Sequence, residues 1–322
     1  MLSPILTNNP DEADFFYIPV YTYSCQKNED GCNISQLIEE VRSIGPWYDR
    51  KNGSDHIIAT SFETLYFNSV LHHSVFNDNF IIVSPNPQSG NSSLAWHGQR
   101  NIAVPFVSYF PNYPPEKIDW TRKRKYTAFI AQTYNVTNTQ SKNIRQKATS
   151  LIRNMTRGKV LLFRRYKSSV IKTVKSLPEY YLDSDFCICP RGDLIVPSKR
   201  VFDVVHFGCI PVFISDPMMP PFEGVYLNYS KFSVRIPEKE IEKMPEILES
   251  YTQEQIQEMR NELKHAAKTF RFGYPGNKPP IVGEAFWAFS WMLYIRHLYQ
   301  EQYHDAYFPP VISKIVNNSI VN

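Results

Sequence analysis

The segments Phe186-Cys-Ile-Cys-Pro-Arg-Gly192, Ser198-Lys-Arg-Val-Phe-Asp203 and Phe207-Gly-Cys-Ile-Pro-Val-Phe-Ile-Ser-Asp216 read together as one strand–loop–helix–strand crossover. Phe186 to Cys189 is an apolar run short enough for a buried strand, a Pro/Gly loop runs to Pro197, and a short helix is predicted from Lys199 to Phe207. Gly208 then turns the chain into a second strand from Ile210 to Ser215.

The same alternation runs outward in both directions. Upstream, strand patterns at Phe15 to Val20, His56 to Thr60 and Phe80 to Ser84 surround a helix from Ser35 to Ile44. In that helix Leu37, Ile38, Val41 and Ile44 recur at helical spacing, with Ser35 as cap and Gly45-Pro46 as stop. Strand, helix and strand follow again at Tyr126 to Ala131, Ile144 to Ile152 and Val160 to Phe163. Downstream, Thr252 and Gln255 form a capping box ahead of Ile256, Met259, Leu263, Ala267 and Phe270 on one helical face. Ala285 to Ile295 is about half of the ~20 residues a membrane span needs and reads as a buried helix. The fold class is therefore α/β.

At 322 residues and 37.5 kDa the chain is sized for two domains of roughly 100–200 residues each. The three prolines and basic run between Phe110 and Lys125 mark the expected boundary, and Arg122 to Lys125 itself reads as a solvated face. The expected division is 1–115 and 120–300, with a tail over 301–322. With 43% hydrophobic and 20% charged residues, wholesale disorder is excluded. A net charge of +4 is too small for a dedicated nucleic-acid binder and permissive for small anions.

Sequence signals also bear on compartment. Asn-x-Ser/Thr occurs at Asn33, Asn52, Asn91, Asn135, Asn154, Asn228 and Asn317, against roughly three expected from ordinary Ser and Thr usage, which favours a lumenal or secreted chain. Of the five cysteines, Cys25 and Cys32 flank a polar loop that a disulfide can close. Cys187, Cys189 and Cys209 sit in apolar surroundings and read as small hydrophobes.

The crossover also carries the chemistry. Ser198 is placed to cap a helix whose N-terminus offers free N–H groups and partial positive charge. With Arg191, Gly192 and Arg200 it resembles an anion site at the carboxyl end of a strand, where open α/β sheets bind ligands, and a diphosphate suits it. Asp203, three residues after Arg200, reads either as an intrahelical ion-pair partner or as a contact to a ribose hydroxyl.

These three segments, together with Pro221-Phe222, Tyr229-Ser-Lys-Phe-Ser-Val234, Pro46-Trp47, Gly53-Ser-Asp-His56 and Asn9-Pro-Asp-Glu-Ala-Asp-Phe-Phe-Tyr-Ile-Pro-Val-Tyr21, resemble the exostosin family of glycosyltransferases over roughly Asn9 to Phe272. The resemblance implies a GT-B fold, two Rossmann-like domains facing a cleft, with donor held by the second and acceptor by the first. It implies inverting transfer from a nucleoside-diphosphate sugar, UDP-linked, to a glycan or glycoprotein in the Golgi or endoplasmic reticulum lumen. A membrane anchor in the full-length protein and oligomers with another family member belong to the same expectation. The family's further strand before the Asp-Pro-x-Glu-Ala-Asp element has no counterpart ahead of Asn9, so the first domain reads as truncated.

Residue by residue, Arg191, Gly192, Ser198, Arg200 and Asp203 match the donor block, Asp203 standing where many members have Glu. Asp55-His56 matches an acceptor-domain element, which makes His56 the expected base, with Asp55 or Glu63 as alternates. No cofactor or metal is expected. Asp183-Ser-Asp185 fits the metal-holding Asp-x-Asp pattern but precedes its strand, and the cysteines lack zinc-ligand spacing. The competing reading is a non-catalytic partner subunit or carbohydrate-binding scaffold that keeps the fold. Asp203 and Phe62-Glu63, where plant members carry His-Asp, motivate it.

Overall fold

The computed structural model describes residues 7–19, 34–59, 80–85, 101–108, 110, 118–133, 138–163, 177–192, 199–216, 220–272 and 282–302. They form two compact units, Met1–Pro105 with Pro221–Tyr226 and Gly273–Asn322, and Phe106–Pro220 with Leu227–Phe272. Each is built on a wholly parallel sheet among the described residues.

In the first unit β1 (Phe16–Ile18), β2 (His56–Ala59), β3 (Ile81–Ser84) and β4 (Asn101–Ala103) pair in sequence order. Between β1 and β2 lie α1 (Ile34–Ile44) and the short α2 (Trp47–Arg50). Successive strand residues point to opposite faces, so the unbroken run His56-Ile-Ile-Ala59 needs cover on both sides. One side buries Ile18, Ile58, Phe80 and Ile82 with Ile38 of α1 and Tyr48 of α2. The other packs Ile57, Ile81, Val83 and Ile102 against Phe289, Met292 and Leu293.

Those last three residues belong to a C-terminal helix, α7 (Ala285–Gln302). Its packing corrects the expected division, which carried the second domain to residue 300: helix 285–302 joins the first unit. Its apolarity was legible, but not the sheet that it covers. Trp287, Tyr294 and Leu298 are exposed, so the helix is half-buried rather than fully enclosed.

The second unit has strand order β6-β5-β7-β8-β9, from β5 (Tyr126–Thr133), β6 (Gly158–Phe163), β7 (Ser184–Pro190), β8 (Ile210–Ile214) and β9 (Val234–Arg235). Among the described residues its helices include α3 (Thr139–Asn154), α4 (Lys199–His206), α5 (Met244–Glu249) and α6 (Gln253–Thr269), with further helical residues at 177–182. The expected crossover is present as β7, α4 and β8, with Phe186 opposite Ile210 and Cys189 opposite Phe213. Gly208 turns α4 into β8 at φ 69°, and a Cβ there would meet Trp120 at 2.9 Å. The expected capping box on α6 forms, Gln255 N–H donating to Thr252 Oγ1 at 3.3 Å and Thr252 N–H donating to Gln255 Oε1 at 2.9 Å.

Three expectations change in the second unit. The boundary falls at Pro105/Phe106, ahead of the proline-rich segment, because residues 106–110 dock on α4. There the Phe106 and Phe202 ring centroids lie 5.9 Å apart, those of Phe110 and Phe207 5.4 Å apart, and Ser108 Oγ donates to Asp203 at 2.6 Å. The run Arg122 to Lys125 is not simply a solvated face. Arg124 is 3% exposed and donates to the carbonyls of Tyr181 at 2.9 Å and Ser184 at 2.7 Å. Burial, then the neighbouring Arg260 guanidinium, pushes Arg124 down to about 9, still a cation at neutral pH. Finally, Cys187 and Cys209 are not free hydrophobes but a disulfide, with Cα atoms 5.8 Å apart, tying β7 to the turn before β8. Cys189 remains a buried free thiol, and Cys25 and Cys32 lie outside the described residues.

A bridge between cysteines separated by 22 residues contributes about 3 kcal/mol by restricting the unfolded chain. Urea unfolding of Cys187→Ala/Cys209→Ala is expected to show a loss of that size, and dithiothreitol should lower the wild-type midpoint while leaving the double variant unchanged.

Candidate active site

The carboxyl ends of β5, β7, β8 and β9 emerge along one edge of the second sheet, since all four strands are parallel and neighbours. Open sheets of this kind receive ligands there. Arg191 and Gly192 leave β7 at that edge, Ser215 and Asp216 leave β8, and Glu238 follows β9. The N-terminal turn of α3 adjoins it, Ser141 Oγ donating to the Gly192 carbonyl.

Arg191 is 7% exposed and is held from several directions. Its N–H donates to Ile214 O at 3.0 Å, its carbonyl accepts from Arg145 Nε at 3.2 Å, and its Nη1 donates to Glu238 at 3.2 and 3.4 Å. Among the described residues its buried Nε has no hydrogen-bond partner, nor do Arg200 Nη1 and Ser215 Oγ. A phosphate oxygen recovers the free energy that an unpaired buried guanidinium nitrogen costs. Arg124 and Arg260 keep such nitrogens at the amino edge as well, so it is their place at the carboxyl edge that suits Arg191 and Arg200 to an anionic ligand.

The five donor-block residues do not fare alike. Arg191 and Gly192 lie at the strand end, and Arg200 in the first turn of α4. Ser198 lies outside the described residues. Asp203 is 2% exposed, and its Oδ1 accepts the Ser108 hydroxyl, so one oxygen of this carboxylate anchors the segment that carries Phe106 and Phe110. Between Arg200 and Asp203, burial pushes the Cys189 thiol up to about 12, leaving it inert.

Asp55 and His56 are brought together, but at the amino end of β2, opposite the edge where ligands gather. His56 is 2% exposed, stacked on Phe16 at 4.9 Å and edge-on to Tyr48 at 5.1 Å, with Nδ1 2.7 Å from Asp55 Oδ1. Arg50 Nε donates to Asp55 Oδ2 at 2.9 Å, and Arg50 Nη2 to Ala13 O at 2.7 Å. Gly53, at φ 75° beneath the Tyr48 ring, shapes the turn that leads into the pair. A base must touch the acceptor hydroxyl, and here the side chains of His56, the expected base, and of Asp55, its alternate, are enclosed among the described residues of their own unit. Glu63 lies outside the described residues.

Asp183 and Asp185 are similarly committed at the amino end of β7. Asp183 pairs with Arg122 and with Lys125 at 3.0 Å, and Asp185 with Arg260 and with Arg157 at 3.8 Å. No cluster of three metal-ligating side chains occurs among the described residues.

Sequence reasoning missed Arg50, Ser108, Ser215 and Glu238. Glu238 is 47 residues from Arg191 and carries no local signal, whereas Asp55 and His56 were noticed with no sign of the arginine beneath them.

A family model described as Exostosin GT47 domain matches residues 1–251. The chain is 23% identical over 312 residues to a "probable glycosyltransferase" of Arabidopsis thaliana, covering 91% of this chain and 59% of that protein. It is 26% identical over 308 residues to a "probable beta-1,4-xylosyltransferase" of Arabidopsis thaliana, covering 88% and 69%. A "probable glucuronosyltransferase" of Oryza sativa subsp. japonica is 25% identical over 308 residues, with the same coverage of 88% and 69%. Among solved structures, a pneumococcal O-GlcNAc transferase in complex with UDP and GlcNAc aligns with a TM-score of 0.35 and 10% identity, over 81% of this chain and 48% of that one. The chain thus spans only part of the length of these relatives.

Burial alone would raise the Asp55 carboxyl, but hydrogen bonds from His56 and Arg50 and their charges outweigh it and hold the group below the usual aspartate value. A lowered folded-state value stabilises above the unfolded value and is lost as pH falls through the folded one. Wild-type stability is therefore expected to fall below about pH 4, and Asp55→Asn to be less stable at neutral pH with a shallower acid limb. Urea melts from pH 2.5 to 7 check both expectations.

Proposed function

The chain belongs to the exostosin GT47 family, and from that premise we propose that it transfers a sugar, with inversion, from a UDP-linked donor to a glycan or glycoprotein. The observation that supports this reading is the placement of Arg191, Arg200 and Ser215 after the carboxyl ends of β7 and β8, with Arg191 Nε, Arg200 Nη1 and Ser215 Oγ lacking a hydrogen-bond partner among the described residues. The guanidinium groups of Arg191, next to Gly192, and of Arg200, in the first turn of α4, suit a diphosphate, whose charge grows as the sugar leaves. Such cations stabilise the departing group without a metal, in keeping with the commitment of Asp183 and Asp185 to arginine and lysine. Inversion also needs a base for the acceptor hydroxyl, and His56 would have to be uncovered to reach one.

The reading extends to compartment and assembly. The Cys187–Cys209 disulfide suits an oxidising lumen of the Golgi or endoplasmic reticulum. Asn52 and Asn154 are exposed within Asn-x-Ser/Thr sequences, whereas Asn228 Oδ1 caps a turn by accepting from Ser230 N–H at 3.1 Å and Ser230 Oγ at 2.7 Å. No described helix is long and apolar enough to cross a membrane. Anchoring of the full-length protein, and pairing with another family member, complete the reading that the family supports. One observation favours the non-catalytic alternative: Asp203, placed in the donor block by its sequence, is already occupied by Ser108.

Calorimetric titration of UDP and UDP-sugars is expected to show binding that survives EDTA and weakens at least about tenfold in Arg200→Ala, with an unchanged circular dichroism spectrum. Absence of binding by the folded chain would favour the non-catalytic subunit. Glycopeptide mapping after expression through the secretory pathway is expected to find sugar on Asn52 and Asn154. Unmodified asparagine at both positions would contradict the lumenal reading.

A further inference from the structure

We propose that Glu238 is a positioning residue for donor binding, acting through Arg191 as a fixed brace for its guanidinium group. This inference rests on the reading of Arg191 as a diphosphate contact. Both carboxylate oxygens of Glu238 face Arg191 Nη1, at 3.2 and 3.4 Å, and the two side chains are 10% and 8% exposed. A buried guanidinium with one edge secured keeps its remaining donors in a single orientation, and Arg191 Nε has no partner among the described residues.

Glu238 is itself pinned from two other elements. Gln140 Nε2, in the first turn of α3, donates to Glu238 Oε2 at 2.7 Å. Asp216, after β8, closes a reciprocal pair: Glu238 N–H donates to Asp216 Oδ1 at 2.9 Å, and Asp216 N–H to Glu238 Oε1 at 3.4 Å. The brace therefore joins α3, β7, β8 and the segment after β9 at the edge where the donor arrives. Its charge also offsets that of Arg191, so that an empty site does not hold an uncompensated buried cation.

The test compares wild type with Glu238→Ala, Glu238→Asp and the Arg191→Ala background. UDP affinity is read by calorimetry and steady-state constants against a transferable UDP-sugar. Glu238→Ala is expected to weaken UDP binding and raise donor KM by roughly tenfold each, with acceptor KM unchanged and Glu238→Asp recovering part of the loss. In the Arg191→Ala background the same substitution should change UDP affinity by less than about twofold, because the brace then has nothing to hold. Lys147→Ala, which removes an exposed ion pair with Glu242 at 2.7 Å on the same helix as Gln140, serves as the control without effect. A tenfold loss that persists without Arg191 would mark Glu238 as merely structural and overturn the proposal. Unchanged UDP affinity in a folded Glu238→Ala protein would overturn it and leave the donor reading standing. A wild-type chain that binds no UDP would overturn both.

Discussion

Strand β7 has no side that faces water. Every residue from Ser184 to Pro190 is buried, and the strand is flanked in parallel by β5 and β8. Parallel neighbours require crossovers over the sheet faces, and those crossovers supply the helices that cover β7. The same constraint gathers the carboxyl ends of the strands along one edge and the amino ends along the other. Arg191 and Gly192 stand at the first edge because the strand that carries them must end there.

The two edges treat charge differently. At the amino edge Asp183 and Asp185 meet Arg122, Lys125, Arg157 and Arg260, and Arg124 is used on backbone carbonyls. This network ties the segment before β5 into the second unit, and within it Arg124 Nε and Nη2 and Arg260 Nε find no hydrogen-bond partner among the described residues. At the carboxyl edge the carboxylate of Glu238 fixes one side of Arg191, and Arg191, Arg200 and Ser215 likewise keep buried polar atoms without a partner among the described residues. A fold tolerates such atoms where a ligand supplies what the chain does not. The first unit places its own charged network, Arg50, Asp55 and His56, at an amino edge as well, where it joins the entry to β2 with the carbonyl of Ala13. An Asp-His pair is thus an architectural fastening here, although the same two residues on a carboxyl edge would read as catalytic.

What the sequence determined by itself is local and periodic. The apolar runs gave β2, β3, β5, β6, β7 and β8 to within about two residues, the helical spacing gave α1, α4 and α6, and the capping box on α6 was correct to the atom. The proposed donor block could be read from sequence because Arg191, Gly192 and Arg200 lie within one crossover, where chain connectivity alone links a strand end to a helix start.

Only tertiary structure decided which partner each side chain found. The apolarity of α7 is visible in sequence, but not that it covers β2 and β3, more than 190 residues away. Cys187 and Cys209 bond because β7 and β8 lie side by side, and Asp203 is occupied because residues 106–110 fold back onto α4. Arg191 meets Glu238 because their strand ends share an edge. Hydrophobic periodicity specifies which face is buried, whereas hydrogen bonds and ion pairs act over about 3 Å and depend on the meeting of distant segments.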